Sequence, residues 1–272
     1  MRVRWLALAL LVASACAPDA AAKSDFLVTV EAITPDGALP IMTLAQQVDL
    51  DESEHTAVEA VVAACMEQRG FTYEPVPWFG PSWTEEGRYG YTDVAEVIEY
   101  GYEGPPPGEP DSRDWEGRQP PPEWGWEEAL LGTERAGLVW EGAAVWSYPV
   151  GGCDEEGHTA VVGDYRAWME LMEALQRVMG GASSGSGQDP RVQAVVAAWS
   201  ECMSAVGYPV AVFGESPYTS RAAAVADATC NVSVGVAPTW RAVEAEYQWS
   251  ALAAHEGLLT ELLSRTTVSL GG

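Results

Sequence analysis

Apolar positions recur at helical spacing over much of this chain. Val58, Val61, Val62, Cys65 and Met66 share one face, opened by Asp51-Glu52-Ser53-Glu54 and closed by Gly70. Asp51 or Ser53 is the expected cap, and early acids suit a helix N-terminus. A second run starts between Asp154 and Thr159 and reaches Met179 through Val162, Tyr165, Trp168, Met172 and Leu175. Asp189-Pro190 opens a third, with Val192, Val195, Trp199, Cys202 and Met203 on its core face and Gly207 at its end. Thr219 or Ser220 caps a shorter run to Cys230, whose alanines allow close packing. The longest helix is expected over about 238–263. Shorter helices are expected within 92–102 and over 126–131. Phe26 to Ile33 alternates and reads as a strand, although both faces are partly apolar. Ala143 to Tyr148 reads as a short strand or buried loop, and Gly151-Gly152-Cys153 as a tight approach to a cysteine. Gly180 to Gln188, rich in Gly and Ser, reads as a flexible loop.

The predicted fold is mainly α. It is an antiparallel helical bundle with at most a few short strands and one long loop-rich insertion. The insertion covers 73–150, where Pro105-Pro106-Pro107 and Pro120-Pro121-Pro122 break regular structure. Seven of the twelve tryptophans lie between Trp78 and Trp146. A stretch this long without structure is unusual, so it is either pinned by its aromatics or functional. The chain divides into a signal peptide (1–15), a tether (16–24) and one helical domain (25–272).

The first residues carry the export signal. Arg2 and Arg4 precede an apolar run from Trp5 to Val12, too short to span a bilayer as a mature helix. Ala13-Ser14-Ala15-Cys16 follows and resembles a bacterial lipobox, with Ala13 where Leu or Val is usual. The resemblance implies cleavage before Cys16 and a diacylglyceryl thioether on it. The expected location is the outer face of the cytoplasmic membrane, with contact to the membrane through that lipid. The competing reading is cleavage near Ala17 or Ala22 and free secretion.

Charge narrows the partners. Forty acidic residues against fourteen basic ones give a formal net charge of -26. Such a surface repels nucleic acid and gains nothing at an anionic membrane. Setting Cys16 aside leaves Cys65, Cys153, Cys202 and Cys230, an even set that in an exported chain reads as two disulfides with three possible pairings. Zinc is disfavoured, because no Cys-x-x-Cys occurs and His158 is the histidine near them. No metal or cofactor is expected. His55 and His255 read as surface positions, and His158 as part of an acidic helix start.

Two stretches repeat one pattern at an offset of 137 residues: Cys65-Met66 with Gly70-Phe71, and Cys202-Met203 with Gly207-Tyr208. Beside them stand Ala64, Tyr73 and Pro75, the run Arg88-Tyr89-Gly90-Tyr91, and Ala129-Leu130 with Gly132. Gly152-Cys153, Trp199 and Ala226-Asp227 with Cys230 complete the set. Over about 55–265 these residues resemble a group of secreted actinobacterial lipoproteins of uncharacterised function. The resemblance imports no activity. It implies disulfides in chain order, Cys65 with Cys153 and Cys202 with Cys230. Short connections also favour adjacent antiparallel helices, which agrees with Cys202–Cys230.

No His-Glu-x-x-His or Walker loop is present. Trp78, Trp83, Trp115, Trp124 and Trp126 are the candidate ligand platform, since rings on Pro-rich loops can stack on a glycan or a peptide. The plainer alternative is that they fasten long loops to the core. The expected function is therefore a non-catalytic envelope protein binding a glycan, peptide or protein partner. The alternative is a hydrolase of a cell-wall or extracellular polymer using a carboxylate pair, for which Glu127 and Glu128 are the candidates.

Overall fold

The computed structural model describes residues 23–85, 87–104, 124–140, 143–268 and 270, with hairpin side chains described at 134–137 and 146–150. The lipobox segment with Cys16, and Trp115, lie outside the described residues. The fold is mainly helical with one two-stranded antiparallel sheet. In chain order the elements are α1 (Asp25–Ile33), α2 (Pro40–Val48), α3 (Glu52–Gln68), α4 (Val94–Tyr100) with a 3-10 turn (Gly101–Glu103), and α5 (Trp126–Leu131). Then come β1 (Glu134–Trp140), β2 (Ala143–Val150), α6 (Cys153–Val162), α7 (Tyr165–Gly187), α8 (Pro190–Ala205), α9 (Arg221–Val234) and α10 (Val236–Arg265).

The largest core packs α1, α2, α7 and α10 together through Val30, Ile41, Leu44, Leu171, Leu175 and Leu252. α1 is a helix where alternation predicted a strand. Ser24 caps it, accepting from Leu27 N at 3.3 Å, and Phe26, Leu27 and Val30 reach the core at helical spacing. The alternation failed because its two faces were never distinct. α2 was not foreseen; Pro40 at its first turn and buried Ile41, Leu44, Ala45 and Val48 define it.

The expected single helix from 154 to 179 is two. Gly163, at φ 81°, breaks it, and Asp164 caps α7 by accepting from Ala167 N at 3.0 Å. α7 in turn runs straight through the Gly/Ser stretch expected to be a loop. Small residues serve helix packing there. A methyl on Gly185 would meet the Tyr247 ring at 2.8 Å, and Ser186 accepts from Trp240 Nε1 at 3.1 Å. Composition signalled flexibility where the real constraint was the close approach of α10.

The insertion is more ordered than expected at its C-terminal end. β1, which the sequence did not reveal, pairs with β2 in the register Glu134↔Val150 to Trp140↔Ala143, with an irregularity between Leu138 and Val139. Gly132 and Gly152 then cross so closely that either Cβ would strike the other segment's backbone. That crossing delivers Cys153 to Cys65, with Cα atoms 5.6 Å apart. Cys202 joins Cys230 with Cα atoms 5.7 Å apart. The disulfides are those the resemblance implied.

Both repeated patterns close a helix in the same way. At the end of α3, Phe71 N donates to Met66 O at 2.9 Å and Gly70 N to Glu67 O at 2.9 Å. At the end of α8, Tyr208 N donates to Met203 O at 2.9 Å and Gly207 N to Ser204 O at 3.1 Å. These are Schellman caps, which need a residue at positive φ; Gly70 has 86° and Gly207 91°. The aromatic after each glycine packs with the methionine of its own cluster. The glycine, the methionine and the aromatic are thus one device used twice.

Candidate functional site

Among the described residues, Trp78, Trp83, Trp124 and Trp126 do not form one platform. Trp124 is 99% exposed, and Trp78 and Phe79 lie at the surface. Trp126 is committed to the body: its Nε1 donates to Thr72 O at 2.9 Å and its ring stacks on Tyr73. Glu127 and Glu128 are exposed in the first turn of α5, adjacent in sequence and not facing one another. Trp83 packs on the main core, its Nε1 buried without a hydrogen-bond partner, and it lines a cleft of about 420 Å³. Met42, Met169, Met172 and Met179 line the same cleft, as does Trp146. Two charged groups at that cleft, Arg88 and Glu173, are held in ion pairs with Glu244 and Arg177.

A second cavity, of about 350 Å³, has polar groups converging on it. One residue of its wall, Asp227, is positioned beside the second disulfide. Trp199 lies three residues before Cys202 on α8, and Asp227 three before Cys230 on α9. A helical turn separates each from its cysteine, so the disulfide that joins the helices also brings these two side chains together. Trp199 Nε1 donates to Asp227 Oδ1 at 2.9 Å. The Tyr102 hydroxyl lies 3.2 Å from Asp227 Oδ2 and 3.4 Å from Ser216 Oγ.

Three segments complete the walls. α4 packs on α9 through Val97 against Ala224 and Ala228. Asp93 caps α4, accepting from Ala95 N and Glu96 N. Tyr91 and Tyr102 thereby flank α4; the Tyr91 hydroxyl donates to Tyr102 O at 3.0 Å and the rings meet at 5.1 Å. The loop leaving the α8 cap supplies Phe213, Ser216 and Tyr218. Phe213 stands edge-on to Trp199 at 4.9 Å, and Tyr218 edge-on to Tyr208 at 5.2 Å. Gly90 is required here: a methyl on it would lie 2.8 Å from Phe213 Cζ, at φ 74°.

Asp227 is 8% exposed. Burial pushes its carboxyl above the usual carboxylate range, against the opposing hydrogen bonds from Trp199 and Tyr102. The Tyr102 hydroxyl is pushed up to about 12, by burial first and by the Asp227 carboxylate after it. Glu103 also lines the cavity, and no Lys, Arg or His is among the described residues that do.

The sequence placed Gly90, Tyr91 and Asp227 in the family resemblance and Trp199 on a helix core face, and assigned none of them to a site. It overlooked Tyr102, Phe213, Ser216 and Tyr218. The available signal was an aspartate on the apolar face of an alanine-rich helix, one turn before a cysteine.

Beneath this cavity lies a buried polar cluster. Arg88 pairs with Glu244, Tyr89 Oη donates to Glu244 Oε2 at 2.9 Å, and Gln248 Nε2 donates to Glu244 Oε1 at 3.0 Å. Asn231 Nδ2 donates to Tyr89 O at 2.7 Å. The cluster pins the 88–91 segment to α9 and α10, so Tyr91 is presented from a fixed base. Burial works against the Arg88 charge, and the Glu244 carboxylate more than offsets it.

The histidines lie deeper than expected. His158 Nδ1 is 2.9 Å from Asp154 O and its ring stacks on Trp168, while His55 and His255 are half-buried. Among the described residues no three His, Cys, Asp or Glu side chains gather as metal ligands would. No protein-family model, curated protein or solved structure matches this chain.

Proposed function

We propose that this chain is an exported lipoprotein, anchored by lipid on Cys16, that binds a ligand without transforming it. The observation that carries the reading is the aromatic cavity of about 350 Å³ over Asp227. It has the size of ligand pockets in general, and it combines four aromatic rings with a few converging polar groups. The two disulfides fit an oxidising compartment. No described helix is long and apolar enough to cross a membrane. A pocket of this size takes a small molecule, or one unit of the glycan, peptide or envelope partner expected from sequence.

Two experiments test the reading. Cys16→Ser should move the protein from the detergent-extracted fraction to the soluble one; unchanged membrane retention removes the anchor. For binding, native mass spectrometry of the protein exposed to extract from the envelope of its own cells should find a bound molecule of unaltered mass. Ser216→Trp, which fills the cavity, should abolish that complex. A chemically altered product whose formation depends on Asp227 would replace binding with catalysis.

A further inference from the structure

We infer that the cavity over Asp227 is a cage for a small organic cation, a quaternary or protonated amine; the inference rests on the binding role proposed above.

The buried carboxylates among the described residues are Glu59, Asp189, Asp227 and Glu244. Glu244 holds Arg88 and Asp189 holds Arg191. Glu59 accepts from Tyr73 Oη at 2.8 Å and Val76 N at 2.7 Å. Asp227 has two neutral donors, no cation in an ion pair among the described residues, and a cavity in front of it. A buried carboxylate without a countercharge costs stability that alanine or leucine at this position would not. A ligand bringing the missing positive charge removes that cost.

The walls suit the same ligand. Tyr91, Tyr102, Phe213 and Tyr218 line the cavity; Tyr91 and Tyr102 meet edge-on, as do Phe213 with Trp199 and Tyr218 with Tyr208. The face of an aromatic ring carries negative charge density, and alkylated ammonium groups are held by several such faces together. Glu103 adds a second carboxylate. A net charge of -26 draws cations towards the whole surface. An anionic ligand meets two carboxylates and no described base. A neutral sugar would leave the Asp227 charge uncompensated.

Choline and its uncharged isostere 3,3-dimethyl-1-butanol separate charge from shape. Calorimetric titration of the full chain in non-ionic detergent should show one choline site, with the isostere at least tenfold weaker. Asp227→Asn and Phe213→Leu should each weaken choline at least tenfold while melting as cooperatively as the parent. If N-acetyl-lysine amide binds instead of choline, the cation is a peptide amine and the inference stands. Equal binding of choline and the isostere, or choline binding that survives both substitutions, overturns it. If neither cation binds but the envelope-derived molecule still does, the cation inference falls and the binding role stays. If nothing binds, both fall.

Discussion

At the ends of α3 and α8 the chain makes the same turn, with a cysteine, a methionine, a glycine and an aromatic at the same spacing, and the same kind of covalent tie to a later helix. Their interiors differ. Three residues before Cys65 stands Val62, and three before Cys202 stands Trp199; both are buried. Val62 faces Gly157 of α6, so closely that a methyl on that glycine would lie 2.6 Å from Val62 Cγ2 and 2.9 Å from Val58 O. Trp199 faces Asp227, and the helices are held apart by an indole and a carboxylate. Where the first pair closes on an apolar cluster of Val58, Val62, Met66 and the disulfide, the second borders a cavity. Identical caps and covalent ties therefore set where two helices meet. The residues one turn inside the cap decide whether the meeting is core or site.

The largest effect expected is from the ties themselves. Loop lengths of 88 and 28 residues correspond to about 4.6 and about 3.6 kcal/mol on the chain-entropy estimate. Replacing Cys65 and Cys153 together by alanine should lower the denaturation midpoint further than replacing Cys202 and Cys230. The reverse order in urea titrations would mean that local packing, not chain closure, governs the two halves.

Next comes the packing contrast. Gly157→Ala forces α6 away from α3 and should cost about 1–3 kcal/mol, as overpacking does. The cap glycines have open space where a methyl would go, so only backbone strain opposes Gly70→Ala and Gly207→Ala. Each should cost about 1–2 kcal/mol, with the two values equal within error. Unequal costs, read from thermal melts, would show that the caps only look alike.

Much of this comparison was legible in the sequence. Cap glycines, helix faces and cysteine order leave local marks, and α3, α5, α8 and α9 lie close to where those marks put them. The losses were long-range. The Gly/Ser end of α7 is helical because Tyr247 and Trp240 of α10 need its small surface, and nothing near residue 185 announces that. β1 exists through pairing with β2. The cavity over Asp227 went unseen for the same reason. Tryptophans on Pro-rich loops drew attention, yet Trp126 and Trp83 are fasteners. Asp227 acquires meaning when a disulfide brings Trp199 to it and α4 adds Tyr102.

The smallest expected effect has the most informative sign. Each half holds an aspartate near its second cysteine, and the two titrate in opposite directions. Burial pushes the Asp154 carboxyl up, but His158 and the Tyr165 hydroxyl outweigh this and hold it below the ordinary carboxylate range. His158 is likewise opposed by burial and raised above its ordinary 6.5 by Asp154. The Asp154 contribution is present above the ordinary carboxylate range and is lost as pH falls through its lowered folded value. The His158 contribution is present below 6.5 and is lost as pH rises through its raised folded value. The pair is thus strongest between those limits, and Asp154→Asn should lower the melting temperature most there. Asp227 is raised, chiefly by burial, so its contribution is present when protonated and is lost as pH rises through its folded value. Asp227→Asn keeps an acceptor for Trp199 and never ionises. Without ligand it should melt at or above the parent near neutral pH, with its relative stability rising as pH climbs from the ordinary carboxylate range through the raised folded value. Melts of parent and both variants across that range check the signs. A loss of stability in Asp227→Asn that grows with pH would show that the folded protein already supplies a countercharge to Asp227, and the distinction between a filled half and a half built for a cation would disappear.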